Sequence, residues 1–456
     1  MKKNIDMLHG SLYKGILQYT IPIILTSILQ LLFNAADLMV VGQYCGSISV
    51  GAVSSTGALT NLIVNLFIGL SVGAGVTVAH GLGGHHDEEV HRIVHTAIPT
   101  AIISGIILTI VGVFFADDFL RLMKTPQNVL PLSTVYMRIY FGGIVFNMIY
   151  NFTASILRAA GDTKSPLIYL SLSGILNVFL NIVFVTAFNM NVAGVALATT
   201  ISQGVSAILV VLALMRRTDS CKLVLRKMHI YKNQLFKMIR IGLPAGIQGS
   251  MFSISNVIIQ SSVNSFNSDA IIAGNGASAN LEGFVFVLMN SFHQTSVNYI
   301  GQNAGAHQFK RIKKIFATCL LYVTLFGLAA GAAVWLFAEP LLSIYITDSA
   351  EAIAVGVVRL TYIALPYFIC GMMDVTTGAL RGLGSSLVPM IISVLGICGI
   401  RIVWIYTIFQ IPQYHTPECL YTSYLISWVA TFLIQTTAFI VLYKKKSKAH
   451  LLQNPN

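Results

Sequence analysis

Apolar residues fill this chain in stretches of about 20 or more, separated by short polar connections, and that is the length a helix needs to cross the hydrocarbon core of a bilayer. A window of that size predicts twelve such helices, over residues 19–41, 53–80, 93–115, 136–157, 166–188, 192–215, 241–263, 271–299, 315–338, 357–380, 388–410 and 420–443. Backbone groups in lipid must bond within their own segment. Uninterrupted runs achieve this as helices, whereas a barrel strand would alternate apolar and polar positions over about ten residues. The expected fold class is therefore all-α and polytopic, with local kinks at Pro99 and Pro366, which fall inside spans. In the first span Ser27, Gln30, Asn34 and Asp37 recur at helical spacing and form one polar seam ending in a carboxylate. A charge at the bilayer centre costs roughly 2.5–3.5 kcal/mol, so Asp37 needs a partner, water or a proton, unless it lies near the helix end and is solvated.

Composition strengthens this reading: 55% of the 456 residues are hydrophobic and only 10% charged, which excludes a soluble domain. Lys2 and Lys3 precede a run too long for a signal-peptide core, so a first spanning helix is expected instead of a cleaved leader. With the N-terminus inside, 23 of the 28 Lys and Arg fall on inner segments, eight of them in the 216–240 linker. Both termini are then expected in the cytoplasm of a bacterial inner membrane. The net charge of +12 is accounted for by topology and anionic lipid, and no nucleic-acid partner is expected. The six cysteines show no C-x-x-C spacing, so neither a disulfide framework nor a metal knuckle is expected.

The chain is also an internal duplication. A shift of 222 residues places Pro22 on Pro244, Asn34 on Asn256, Gly83 on Gly305 and His85 on His307, and FADDFL at 115–120 on FAEPLL at 337–342. A shift of 223 then places Arg158 on Arg381, Gly161 on Gly384 and Pro166 on Pro389. Six helices per half give a parallel repeat, expected as two lobes: residues 1–215, the 216–240 linker, 241–443 and a tail at 444–456. This is a transporter arrangement with substrate bound between the halves. No nucleophile–base set lies in the spans, so an enzyme is not expected.

The unmatched membrane acids are where the halves differ. Asp37 maps to Ile259, Glu282 to Thr60 and Asp374 to Asn151. Glu282 either binds a proton or a substrate cation or makes a structural bond to a neighbouring helix, and Asp374 either serves the cavity or pairs with Arg381 or Arg401. Gln30, Asn151, Asn256 and Gln260 supply candidate polar positions of a substrate cavity, with Met289 and Tyr150 as adaptable apolar walls. Arg138 and Arg359 are near counterparts, expected to snorkel or to make interlobe contacts. His91 and His95 have the spacing of a helical metal pair, but Asp87, Glu88 and Glu89 read equally as a first helical turn, and no metal site is assigned.

Several motifs resemble one family. They are Asp37 followed by Val41-Gly42, LRAAGDTKSP at 157–166, Asn177 and Asn181 in the fifth span, AGVALATTISQ at 193–203 and ALRGLGSS at 379–386. Together they are similar to the multidrug and toxic compound extrusion (MATE) family of the MOP flippase superfamily. The resemblance implies a secondary active antiporter that exports cationic or amphipathic compounds against protons or sodium by alternating access, acting as a monomer without a cofactor. A flippase for a lipid-linked precursor is the alternative within the superfamily. The resemblance makes Asp37 the coupling residue and Asn177 its fifth-helix partner, and Asn34, from the polar seam of the first span, is the other expected ligand. It also places Asn181 where the family often has a second acid, and an amide cannot titrate. Phe252 and Cys370 stand where a sodium-linked branch has acids, so the proton is the favoured coupling ion.

Overall fold

The computed structural model describes residues 5–347 and 349–453. Lys2, Lys3 and the last three residues of the tail lie outside the described residues. Twelve spans follow one another, all helical, with no strand among the described residues. They are α1 (Leu12–Cys45), α2 (Ser47–Gly83), α3 (Asp87–Phe114), α4 (Leu130–Gly142 and Ile144–Ala159) and α5 (Lys164–Ile182, continued by a π turn, Val183–Ala187). Next come α6 (Asn191–Met215), α7 (Lys232–Asn264), α8 (Asp269–Gly305), α9 (Phe309–Leu336) and α10 (Ala350–Tyr362 and Tyr367–Gly382). The last two are α11 (Leu387–Ser393, a π turn at Val394–Gly399, then Ile400–Tyr406) and α12 (Pro417–Gln453).

Nine of the described helices are long and apolar enough to cross a membrane, and two bent pairs, α4 and α10, bring the number to eleven. The twelfth, α7, has 33 residues and is long enough, but Gln248, Ser250, Ser253, Ser255, Asn256 and Gln260 dilute its apolar character. Both bends measure 47°. Pro366 closes the break in α10 as expected, because its ring clashes with the preceding turn. The matching break in α4 is at Gly143, where a Cβ would stand 2.2 Å from the Thr200 side chain, so the bend lets α4 lie against α6. Pro99 does not interrupt α3, which runs unbroken across it; a membrane helix loses one backbone bond there and is held by its neighbours.

Local rules set the ends. Ser268 and Ser349 cap α8 and α10 by accepting from the backbone N–H of Ile271 and Ala352. Asp87, Glu88 and Glu89 form the first turn of α3, where the helix dipole favours acids. Gly161 and Gly384, mates in the repeat, both end their helices at φ +84°, a left-handed conformation that favours glycine.

The chain divides into two compact units, and two of the boundaries between them fall inside helices, in α1 and in α7. Unit 1 comprises Met1–Asp6 and Ile21–Ser250; unit 2 comprises Met7–Thr20 and Met251–Asn456. In unit 1 the opening part of α7 crosses α2 through facing G-x-x-x-G motifs, Gly69/Gly73 against Gly242/Gly246. A Cβ on Gly69 would lie 2.2 Å from the backbone nitrogen of Gly246, so no side chain fits between the helices. In unit 2 the opening part of α1 packs on α8, with Thr20 Oγ1 2.8 Å from Thr295 Oγ1 and the Tyr19 and Tyr299 rings edge to face at 5.4 Å.

Candidate ion-coupling site

Asp37 sits in the second half of α1, 8% exposed and eight residues before the helix ends at Cys45. At 1.5 Å per residue that is about 12 Å from the end, deeper than a helix ending at residue 41 would place it. Burial of a carboxylate demands bonded partners, and α5 and α6 provide them. Asn181 Nδ2 donates to Asp37 Oδ1 at 2.5 Å and also faces Asn177 Oδ1 at 3.4 Å. Thr199 Oγ1 lies 3.3 Å from Asp37 Oδ2, and Asn177 Nδ2 donates to the same hydroxyl at 3.3 Å. Asn177 and Asn181 fall on one face of α5, four residues apart, and the π turn at Val183–Ala187 begins directly after that face.

The hydroxyl of Thr199 has one proton to give and two acceptors within reach, the Val195 carbonyl at 2.9 Å and Asp37. If it serves Val195, two lone pairs face each other between Thr199 and Asp37 Oδ2, and a proton on Asp37 completes the network. If Asp37 is ionised, Thr199 can turn its proton to the carboxylate. Each protonation state therefore has its own bonding pattern. The Asn181 Oδ1 atom is buried and has no hydrogen-bond partner among the described residues, so an additional donor or cation would be satisfied there.

The structure therefore brings Asp37, Asn177 and Asn181 together. Asn34 is exposed and makes no bond among the described residues, so Asn181 takes the place expected for it at Asp37. The seam on α1 splits: Gln30 is exposed as well, because the helix turns only its Asp37 end toward α5 and α6. Thr199 was not singled out in the sequence, although it is a polar residue within the 193–203 motif; spacing along one helix cannot reveal a partner on another.

The other candidate positions are dispersed. Asn256 and Gln260 are exposed on α7; Gln260 donates to Asn264 and accepts from Asn275. Asn151 is half-buried and donates to Asn147 on its own helix. Tyr150 and Met289 are not cavity walls: Tyr150 is buried in the core of unit 1, and Met289 is fully buried against Gly327 and Gly371. Glu282 is not an unpaired acid. Both its oxygens accept from Arg359, from Nε and Nη2 at 2.8 Å each, and Arg359 also bonds Asn275. Arg359 is 5% exposed and so does not snorkel; the buried carboxylate draws it inward. Asp374 is half-buried, and its carboxylate makes neither a hydrogen bond nor an ion pair among the described residues. Its backbone carbonyl accepts from His293 Nδ1 at 2.7 Å, which leaves His293 Nε2 to accept from Arg381.

The histidine-rich loop is structural at His95. Its Nδ1 donates to the His91 carbonyl and its Nε2 accepts from the Val224 backbone, so neither nitrogen is open to a metal, and the contact staples the linker to α3. Nearby charges pair as Arg92 with Glu88 and Lys237 with Glu89. They line a polar cleft of about 590 Å³.

The MatE family model matches twice, at residues 22–183 and again at 244–407, together most of the chain. The chain belongs to the MatE family of membrane transporters. The two matches begin on Pro22 and Pro244, the register of the internal repeat. Among curated MatE relatives, the chain is 26% identical to the probable multidrug resistance protein YoeA of Bacillus subtilis, over 97% of this chain and 96% of that one. It is 28% identical to the probable multidrug resistance protein YpnP of the same organism, over 88% and 89%. Among solved structures it resembles an outward-facing multidrug resistance MATE family transporter of the MOP superfamily, at 20% identity, with a TM-score of 0.87 and 98% and 99% of the two chains covered. The twelve-helix, two-lobe fold is thus that of the MatE family.

Proposed function

We propose that the chain is a proton-coupled antiporter that exports cationic or amphipathic compounds from the cytoplasm by alternating access. The MatE membership and the names of its multidrug relatives support export of small molecules. The observation that supports coupling is the bonding arithmetic at Asp37: a buried acid whose neighbours can satisfy either protonation state by turning one hydroxyl. Protonation from outside switches Thr199 toward Val195, and loss of the proton inside switches it back. Coupling follows if the two patterns favour different arrangements of the helices that carry them, since an ion drives transport only through such a difference.

The test is gradient-driven uptake of a cationic dye into everted vesicles, parent against Asp37→Asn. The parent responds to an imposed proton gradient and the variant does not. Unchanged uptake in Asp37→Asn would remove the role given to that acid. A response of the parent to a sodium gradient alone would replace the proton by sodium.

A further inference from the structure

Unit 2 buries three arginines, Arg359, Arg381 and Arg401. Glu282 neutralises Arg359, and Arg381 bonds His293 beside Asp374. Arg401 is 5% exposed, and no carboxylate lies within ion-pair distance of it among the described residues. Asp374, the acid considered for it from sequence, does not reach it. A buried cation without a counterion is costly and calls for another source of stabilisation.

Aromatic rings provide part of that source. The Arg401 guanidinium lies over the ring of Tyr424 with Cζ 4.0 Å from its centroid, and 5.9 Å from that of Trp428. Its Nε donates to Ser427 Oγ at 3.1 Å. All three partners are on α12. Arg401 lies two residues after the π turn at Val394–Gly399, whose extra residue shifts the register of the turn that follows, and its side chain meets α12. Stacking occupies the flat face of a guanidinium and leaves the in-plane Nη donors unused. Those donors have the fork geometry that matches an oxyanion, and here they bond no acceptor among the described residues. The half-buried Tyr367 ring, 5.2 Å from Trp428, extends the aromatic wall.

We propose that Arg401, backed by Tyr424 and Trp428, is a binding position for an oxyanion, a carboxylate or phosphate, carried on an apolar or aromatic body. Tyr424 and Trp428 are themselves buried and back the guanidinium, so the half-buried Tyr367 ring is the face left for the body, and the guanidinium edge takes the charge. The proposal rests on the efflux reading only for the purpose of such binding, adding acid-bearing amphipaths to the compounds handled. Its test reads binding without transport, so its failure leaves proton-coupled export standing.

The probes are pyrenebutyrate and its methyl ester, titrated onto purified full-length protein in phosphatidylcholine nanodiscs and read by energy transfer from tryptophan. The acid binds the parent about ten-fold or more tightly than the ester, as a charge-assisted forked bond implies. That preference falls to about two-fold or less in Arg401→Gln and to an intermediate value in Arg401→Lys, which keeps the charge without the fork. Equal affinity for acid and ester in the parent overturns the proposal whether or not any variant folds, and so does an undiminished preference in monodisperse Arg401→Gln. Repeating the titration with phosphatidylglycerol identifies the source of the oxyanion. Weakened acid binding in the parent but not in Arg401→Gln assigns the position to a lipid phosphate, and unchanged binding assigns it to a free carboxylate.

Discussion

The contact of Gly73 with Gly242 in unit 1 and that of Thr295 with Thr20 in unit 2 are one helix crossing made twice, since each residue is the mate of its counterpart under the 222-residue shift. In unit 1 the helices touch backbone to backbone and leave no room for a Cβ. In unit 2 they are held apart by two side chains that share a hydrogen bond. The repeat therefore fixes where helices meet, while local residues decide whether shape or polarity holds them. Charge diverges in the same way: unit 1 buries an acid among amides and a hydroxyl, and unit 2 buries an acid already neutralised by arginine.

The largest effect should come from breaking the tighter crossing. Gly246→Leu drives a side chain into the Leu66 carbonyl, 2.2 Å from the Cβ position, and should cost about 4 kcal/mol or more, seen as loss of monodisperse protein after extraction. Next is the buried ion pair. Glu282→Ala strands Arg359 and should destabilise by about 3–5 kcal/mol in thermal unfolding, and the double change with Arg359→Met should recover most of it. Retained stability in the single variant would show that Arg359 finds another acceptor, and the contrast between the two acids would narrow.

Smaller changes sharpen the contrast. Thr199→Val removes the turning hydroxyl but keeps the volume, and should reduce proton-driven dye uptake while costing only about 1 kcal/mol of stability. Uptake equal to the parent would mean that Asp37 exchanges protons without that switch. Thr295→Val deletes the interhelical bond of the looser crossing and should cost about 0.5–1.5 kcal/mol, far less than the glycine change at the matching crossing. A loss as large as that of Gly246→Leu would erase the distinction between the two crossings.

Much of the fold was legible because its signals are local or periodic. Twelve apolar runs read as twelve helices, and a constant register read as a repeat, with Gly161 and Gly384 in the same left-handed conformation at its two copies. The site was legible in part. Asp37 stood out as an acid in an apolar run, and Asn177 and Asn181 share a helical face. Asn34 lies only three residues from Asp37 on α1, yet it points elsewhere, and Thr199 reaches the acid from 162 residues away. Met289 and Tyr150 illustrate the same limit: a methionine or tyrosine in a span reads alike whether it walls a cavity or fills a core.

By itself the sequence determined the class, the number of helices and the duplication, because bilayer thickness fixes helix length and the lack of water in lipid forces backbone bonding within each segment. It also determined that Asp37 would need partners. Only the tertiary structure decided which partners those are, that Glu282 is already neutralised by Arg359, and that Arg401 rests on rings without an acid. A charge's desolvation can be read from its neighbours along the chain, but its compensation comes from side chains on other helices, at distances that packing alone sets.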